Sequence, residues 1–117
     1  MAAPNIVNVA TITGKTAVQA VATSATAIVT NSSGSGKVIK VNALYISNVD
    51  GSAAADITVD LYRSSTPYRI AYTVAGPADD MLDIVTKAIY LEEGDSLRLT
   101  ASASGDLEAV CSYEEIS

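Results

Sequence analysis

The stretch Ala55–Arg63, ADITVDLYR, decides how the rest of the chain is read. Ala55, Ile57, Val59 and Leu61 fall on one side, and Asp56, Thr58, Asp60 and Tyr62 on the other. A period of two with apolar residues on one side only is the mark of a half-buried strand. DSLRLTAS repeats it, with Leu97, Leu99 and Ala101 opposed to Ser96, Arg98 and Thr100. PYRIAYTVA reads the same way, placing Tyr68, Ile70, Tyr72 and Val74 on one face. In LEAVCSYEEI, Leu107, Ala109, Cys111 and Tyr113 alternate with polar or small residues. KVIKVNALYIS is apolar on parts of both faces, which suits a central strand or one covered by a partner.

The punctuation agrees. NSSGSGK (31–37), NVDGSAA (48–54), RSSTP (63–67), AGPADD (75–80), EEGD (92–95) and SGD (104–106) are turn clusters at sandwich-like spacing. MLDIV, between them, reads as strand or loop. KTAVQAVATSATAIV fits helical and strand spacing alike, and its β-branched content favours strand. The expected fold is all-β: a single antiparallel β-sandwich, jelly-roll or immunoglobulin-like, with an extended N-terminal segment. Residues 1–23 form that arm or the first strands, and residues 24–117 the sandwich.

Composition narrows function. The chain has 117 residues, 49% of them hydrophobic, yet no Phe or Trp and six Tyr. A net charge of −6 disfavours nucleic acid. No run reaches the ~20 apolar residues of a membrane span, and the start lacks a signal-peptide pattern. With one cysteine there is no intrachain disulfide, and Cys111 sits among apolar neighbours. Residues 1–49 carry +3 and residues 50–117 carry −9. That split reads either as solvated faces or as head-to-tail contact between copies.

Candidate chemistry is thin. The chain contains no His, the commonest general base and metal ligand. SGSGKV has the Gly-Lys pair of a phosphate loop. It lacks the earlier Gly, the following Ser or Thr, and a helix to open. Glu92, Glu93, Asp95, Asp106, Glu108, Glu114 and Glu115 crowd the last quarter of the chain, but without calcium-loop spacing. They fall in turns and on polar faces, so no catalytic, metal or cofactor residues are expected, a surface calcium ion being left open. The interface residues expected instead are Asn5, Ile6, Val7, Val9, Ile12, Lys15, Lys37, Lys40 and Tyr45.

The run AIYLEEGDSLRLTASASGDLEAVCSYEEIS, with ADITVDLYR upstream and MAAPNIVNVATITGKT at the start, carries a resemblance. It resembles small β-rich virion structural proteins of tailed bacteriophages, especially those of marine cyanobacteria. The resemblance is strongest from Lys37 to Ser117 and weakest in residues 14–30. It implies a non-enzymatic part of the particle exterior, made in the host cytoplasm and present in many copies. The favoured role is a capsid decoration (cement) protein bound to capsid or other virion proteins, as a homo-oligomer with a trimer the first guess. A tail, neck or fibre component is the alternative, followed by a carbohydrate-binding attachment module. The lack of Trp argues against the last.

Overall fold

The computed structural model describes residues 8–117. They form nine strands: β1 Ile12–Ala20, β2 Thr26–Thr30, β3 Val38–Asn48, β4 Ala55–Arg63, β5 Thr66–Gly76, β6 Met81–Val85, β7 Ile89–Leu91, β8 Ser96–Ala101 and β9 Leu107–Ile116. The ambiguous segment is thus strand twice over, β1 and β2, divided by a bend at residues 23–24. MLDIV becomes β6, and KVIKVNALYIS becomes the central β3.

Two antiparallel sheets face each other. The first runs β1-β9-β3-β6, with β7 also on β3; the second runs β2-β8-β4-β5. The pairings nest: β1 with β9, β2 with β8, β3 with β6 and β7, β4 with β5. A long two-stranded ribbon, closed at Ser64–Ser65, has been rolled so that successive pairs alternate between sheets. This strand order is a jelly roll, which settles the topology that strand spacing alone left open.

Between the sheets lie Val41, Leu44, Ile57, Val59, Leu91, Leu97, Leu99 and Cys111, all 0% exposed. They come from alternate positions of both sheets, so the period-two reading of β4, β8 and β9 predicts the core directly. β5 departs from it. Register shifts against β4 set Ala71 opposite Val59 and Arg69 opposite Asp60. Tyr68, Ile70, Tyr72 and Val74 therefore do not share one face, and all four are exposed. Extra residues inserted into a strand reverse its alternation, and composition does not announce them.

Two asparagines anchor the ends of β3. Asn31 Nδ2 donates to the Lys37 and Leu91 carbonyls, each at 2.9 Å. Asn48 Nδ2 donates to the carbonyls of Gly76 at 2.8 Å and Ala53 at 3.0 Å. Both are buried and begin clusters read as turns. Their side chains satisfy the buried carbonyls that end β7 and β5, at Leu91 and Gly76, and tie the adjoining loops to them.

Candidate interaction surface

The acidic stretch is where chemistry had to be tested first. Asp95 is buried, and Arg63 grips it with two hydrogen bonds: Nε to Oδ1 at 2.8 Å and Nη2 to Oδ2 at 2.6 Å. The Glu92 amide donates to Asp95 Oδ2 at 2.8 Å, and Arg63 also reaches Glu92 at 2.8 Å. The Arg63 hydrogen bond holds the Asp95 carboxyl below its ordinary range, against desolvation. A carboxylate so saturated ties the Glu92–Asp95 turn to β4, with Gly94 at φ 92° completing the turn.

Glu115 is the second anchor. Lys15 and Lys37 reach its Oε1 at 3.1 and 3.2 Å. The Lys15 hydrogen bond, then Lys37, keeps its carboxyl low. Two of the three lysines of the basic first half thus meet an acid of the second half within one chain, because β9 lies between β1 and β3. Lys40 stands opposite Glu114 in register, and Asn42 donates to Glu114 at 3.2 Å. Part of the charge asymmetry along the chain is thus met within one molecule.

Asp106 behaves differently. Desolvation and the neighbouring Asp50 carboxylate raise its pKa. The amides of Ser52 and Ala53 donate to Asp50, whose carboxyl is lowered. Among the described residues, no three His, Cys, Asp or Glu side chains gather where a metal ion would need them. Cys111 is buried, and desolvation pushes its thiol up to about 11, away from thiolate chemistry at neutral pH.

What remains is surface. The outward face of the second sheet is closed by charge and hydroxyl groups. Ala27, Arg98, Asp60 and Arg69 form one row across its four strands. Asp60 is only 3% exposed; Arg98 Nε donates to its Oδ1 at 2.9 Å, and the Arg98 guanidinium carbon stands 3.8 Å from the Tyr62 ring centre. Along β5, Tyr68 and Val74 lie opposite the inward-facing Leu61 and Ile57, and Arg69 sits over Tyr72. The exposed large apolar groups of this sheet, Tyr68, Ile70, Tyr72 and Val74, all lie on the edge strand β5, where register shifts divide them between faces.

The outward face of the first sheet is different. Val18, Val110 and Tyr45 are directly opposed on β1, β9 and β3, and they are 75%, 42% and 39% exposed. One rung further, Ala20, Glu108, Ser47 and Met81 form the next row. A shallow depression between β1 and β9 runs beside Val18 and Val110. Val18, Val110 and Tyr45 are contiguous, bordered by Asp83 beyond Tyr45 and by Glu108 and Ser47 in the next row: apolar contact rimmed by polar groups, the pattern that marks contact surfaces.

Of the interface residues expected from sequence, Asn5, Ile6 and Val7 lie outside the described residues. Ile12 and Lys15 are on β1, Lys40 and Tyr45 on β3, and Lys37 just before β3, so all belong to the first sheet or its margin; Val9 precedes β1 and is half-buried. They do not converge. Ile12, Lys15, Lys37 and Lys40 sit at the Glu115 end, and Tyr45 lies roughly 15 Å away along β3. Sequence reading missed Val18, Val110 and Met81. Val18 lay in the ambiguous segment. Val110 offered a signal, an apolar residue on the polar side of β9 between Glu108 and Ser112.

The class these observations define is an all-β jelly-roll sandwich with an exposed apolar row on the outward face of its first sheet. Among the described residues no helix is long and apolar enough to cross a membrane. No family model matches the sequence, and no curated protein matches it. Solved structures do. One similar chain comes from the structure described as "Bacillus endospore appendages form a novel family of disulfide-linked pili". The two are 14% identical, the match covers 92% of this chain and 88% of that one, and the TM-score is 0.48.

Proposed function

We propose that this chain is a non-catalytic structural protein that binds, in many copies, to a repeating protein surface. The role that fits best is the decoration of a phage capsid. The observation that carries the reading is the exposed row Val18–Val110–Tyr45 on the outward face of the first sheet, whereas the second sheet presents the Asp60–Arg98 ion pair. A protein that binds only the assembled state stabilises that state by mass action, and weak contacts repeated over a lattice add up through effective concentration. The many carboxylates left at turns keep such an abundant protein soluble. The resemblance to phage virion proteins supplies the partner; the face supplies the means.

The test is quantitative mass spectrometry of purified particles, followed by rebinding of recombinant protein to stripped shells. A copy number on the scale of the shell subunits supports decoration. A much smaller one moves the protein to the neck, tail or fibre, and absence from the particle overturns the reading. In rebinding, Tyr45→Asp and Val110→Asp should weaken binding by about tenfold or more, since burying an unpaired charge is costly. Tyr68→Asp, on the other sheet, should bind like wild type. Equal binding by all three would reject the face.

A further inference from the structure

Every open sheet has edges, and an edge strand presents unpaired backbone groups that invite another strand. The described residues leave four such margins, and three of them carry protection. β5 is broken by register shifts, and Thr73 adopts φ 47°. β2 has five residues and a register shift. β6 and β7, sharing one side of β3, have five and three residues.

β1 has none of these devices. Its nine residues pair with β9 from Ile12↔Ile116 to Ala20↔Glu108 without a shift. It contains no Pro, and its one charged side chain, Lys15, is turned onto Glu115. Residues 12–16 are exposed throughout. A long, regular edge whose one charge is already paired is what natural sheets avoid unless it is used.

We propose that two copies of this chain pair through β1, antiparallel about a two-fold axis at Thr16, joining their first sheets into one. The occupant is a second copy because β1 is complementary to itself in that register. Ile12 meets Ala20, Thr13 meets Gln19, Gly14 meets Val18, Lys15 meets Ala17, and Thr16 meets Thr16. No like charges oppose each other, whereas an axis at Lys15 would set two lysines face to face. β1 also carries none of the 13 acids of a chain with net charge −6, so copies approach where their repulsion is least. Gly14 has open space where a Cβ would stand, with nothing within 4 Å. The Val18 side chain of the second copy, 75% exposed in the single chain, lies opposite it. The nine-residue ladder adds roughly one backbone hydrogen bond per residue, on the scale of a whole protein interface. The pairing is two-fold, in place of the trimer first guessed from sequence. It does not depend on what surface the protein coats: binding to particles tests the function, and the mass of the free protein tests this.

Sedimentation equilibrium of the wild type over a concentration series should give a dimer. Thr16→Lys and Thr16→Glu place like charges across the axis, and each should weaken the dimer by about tenfold or more. An equimolar mixture of the two should restore it. Thr16→Cys should cross-link on mild oxidation, without competition from the buried Cys111, because cysteines opposed across a strand pair lie within disulfide reach. Thr16 is exposed, so circular dichroism should show each variant folded; if a charged variant is not, the cysteine variant decides. A monomeric or trimeric wild type, charge variants that still dimerise alone, a mixture that does not recover, or no cross-link would each overturn the proposal.

Discussion

At the scale of the residue, the carboxylates of one short stretch have opposite characters. Asp95 and Glu115 are drawn below their ordinary values of 3.8 and 4.5 by Arg63 and by Lys15 with Lys37. Their contribution to stability is present above those values and is lost as pH falls through the lower folded ones. Asp106 is raised above 3.8 by desolvation and by Asp50. Folding therefore favours its protonated form, and its ionised form weighs against the fold once pH has passed the folded value. Asp106→Asn should then raise the urea midpoint at pH 7 and leave it unchanged near pH 3. An equal shift at both pH values would show that the effect is not one of ionisation. Sequence placed these acids at turns and on polar faces but could not tell anchor from irritant, because the difference lies in which base the topology brings alongside. Nor could it single out Asn31 and Asn48. A buried asparagine and a turn asparagine are the same letter, and only the carbonyls around it distinguish them.

At the scale of the element, strands with an uninterrupted period of two were legible and shifted ones were not. In ADITVDLYR the apolar positions Ala55, Ile57 and Val59 are buried as the pattern requires. Asp60, read as solvent-facing, points outward but is buried beneath Arg98, a cover supplied by a strand 38 residues away. β5 defeated the pattern through its register shifts. The turn between β4 and β5 carries a local cost of its own. Ser64 and Ser65 hold φ 52° and 60°, so both central residues are left-handed in a two-residue hairpin. That geometry is the one Asn-Gly adopts with least strain. Replacing Ser64-Ser65 by Asn-Gly should stabilise the protein by about 1 kcal/mol or more, read as a higher midpoint at unchanged denaturant slope. A lower midpoint would mean that the serine side chains do more at this turn than their backbone suggests.

At the scale of the whole molecule, spacing gave a sandwich, but strand order came only from the nested pairing. Jelly-roll and immunoglobulin-like chains share the same alternation and turn frequency. They differ in which distant strands meet, and no local signal in Ile12–Ala20 names Leu107–Ile116 as its partner. The nesting also has a thermodynamic consequence. Each strand of the first sheet is joined by the chain to strands of the second, and the two sheets share one apolar layer without Phe or Trp. Neither sheet can keep that layer covered once the other is lost, so the sandwich should unfold as one cooperative unit. Cys111 lies in this layer, 0% exposed with its thiol pushed up to about 11, and serves as a core reporter. The six tyrosines, among them the exposed Tyr68 and Tyr72 on β5, report from both sheets. In a urea titration, thiol labelling, tyrosine fluorescence and far-ultraviolet circular dichroism should follow one transition with one midpoint. Leu44→Ala, which empties a fully buried position on β3, should move all three together by about 2–5 kcal/mol. Tyrosine fluorescence that changes well before Cys111 becomes reactive would show instead that part of the sandwich opens while the core layer stays closed.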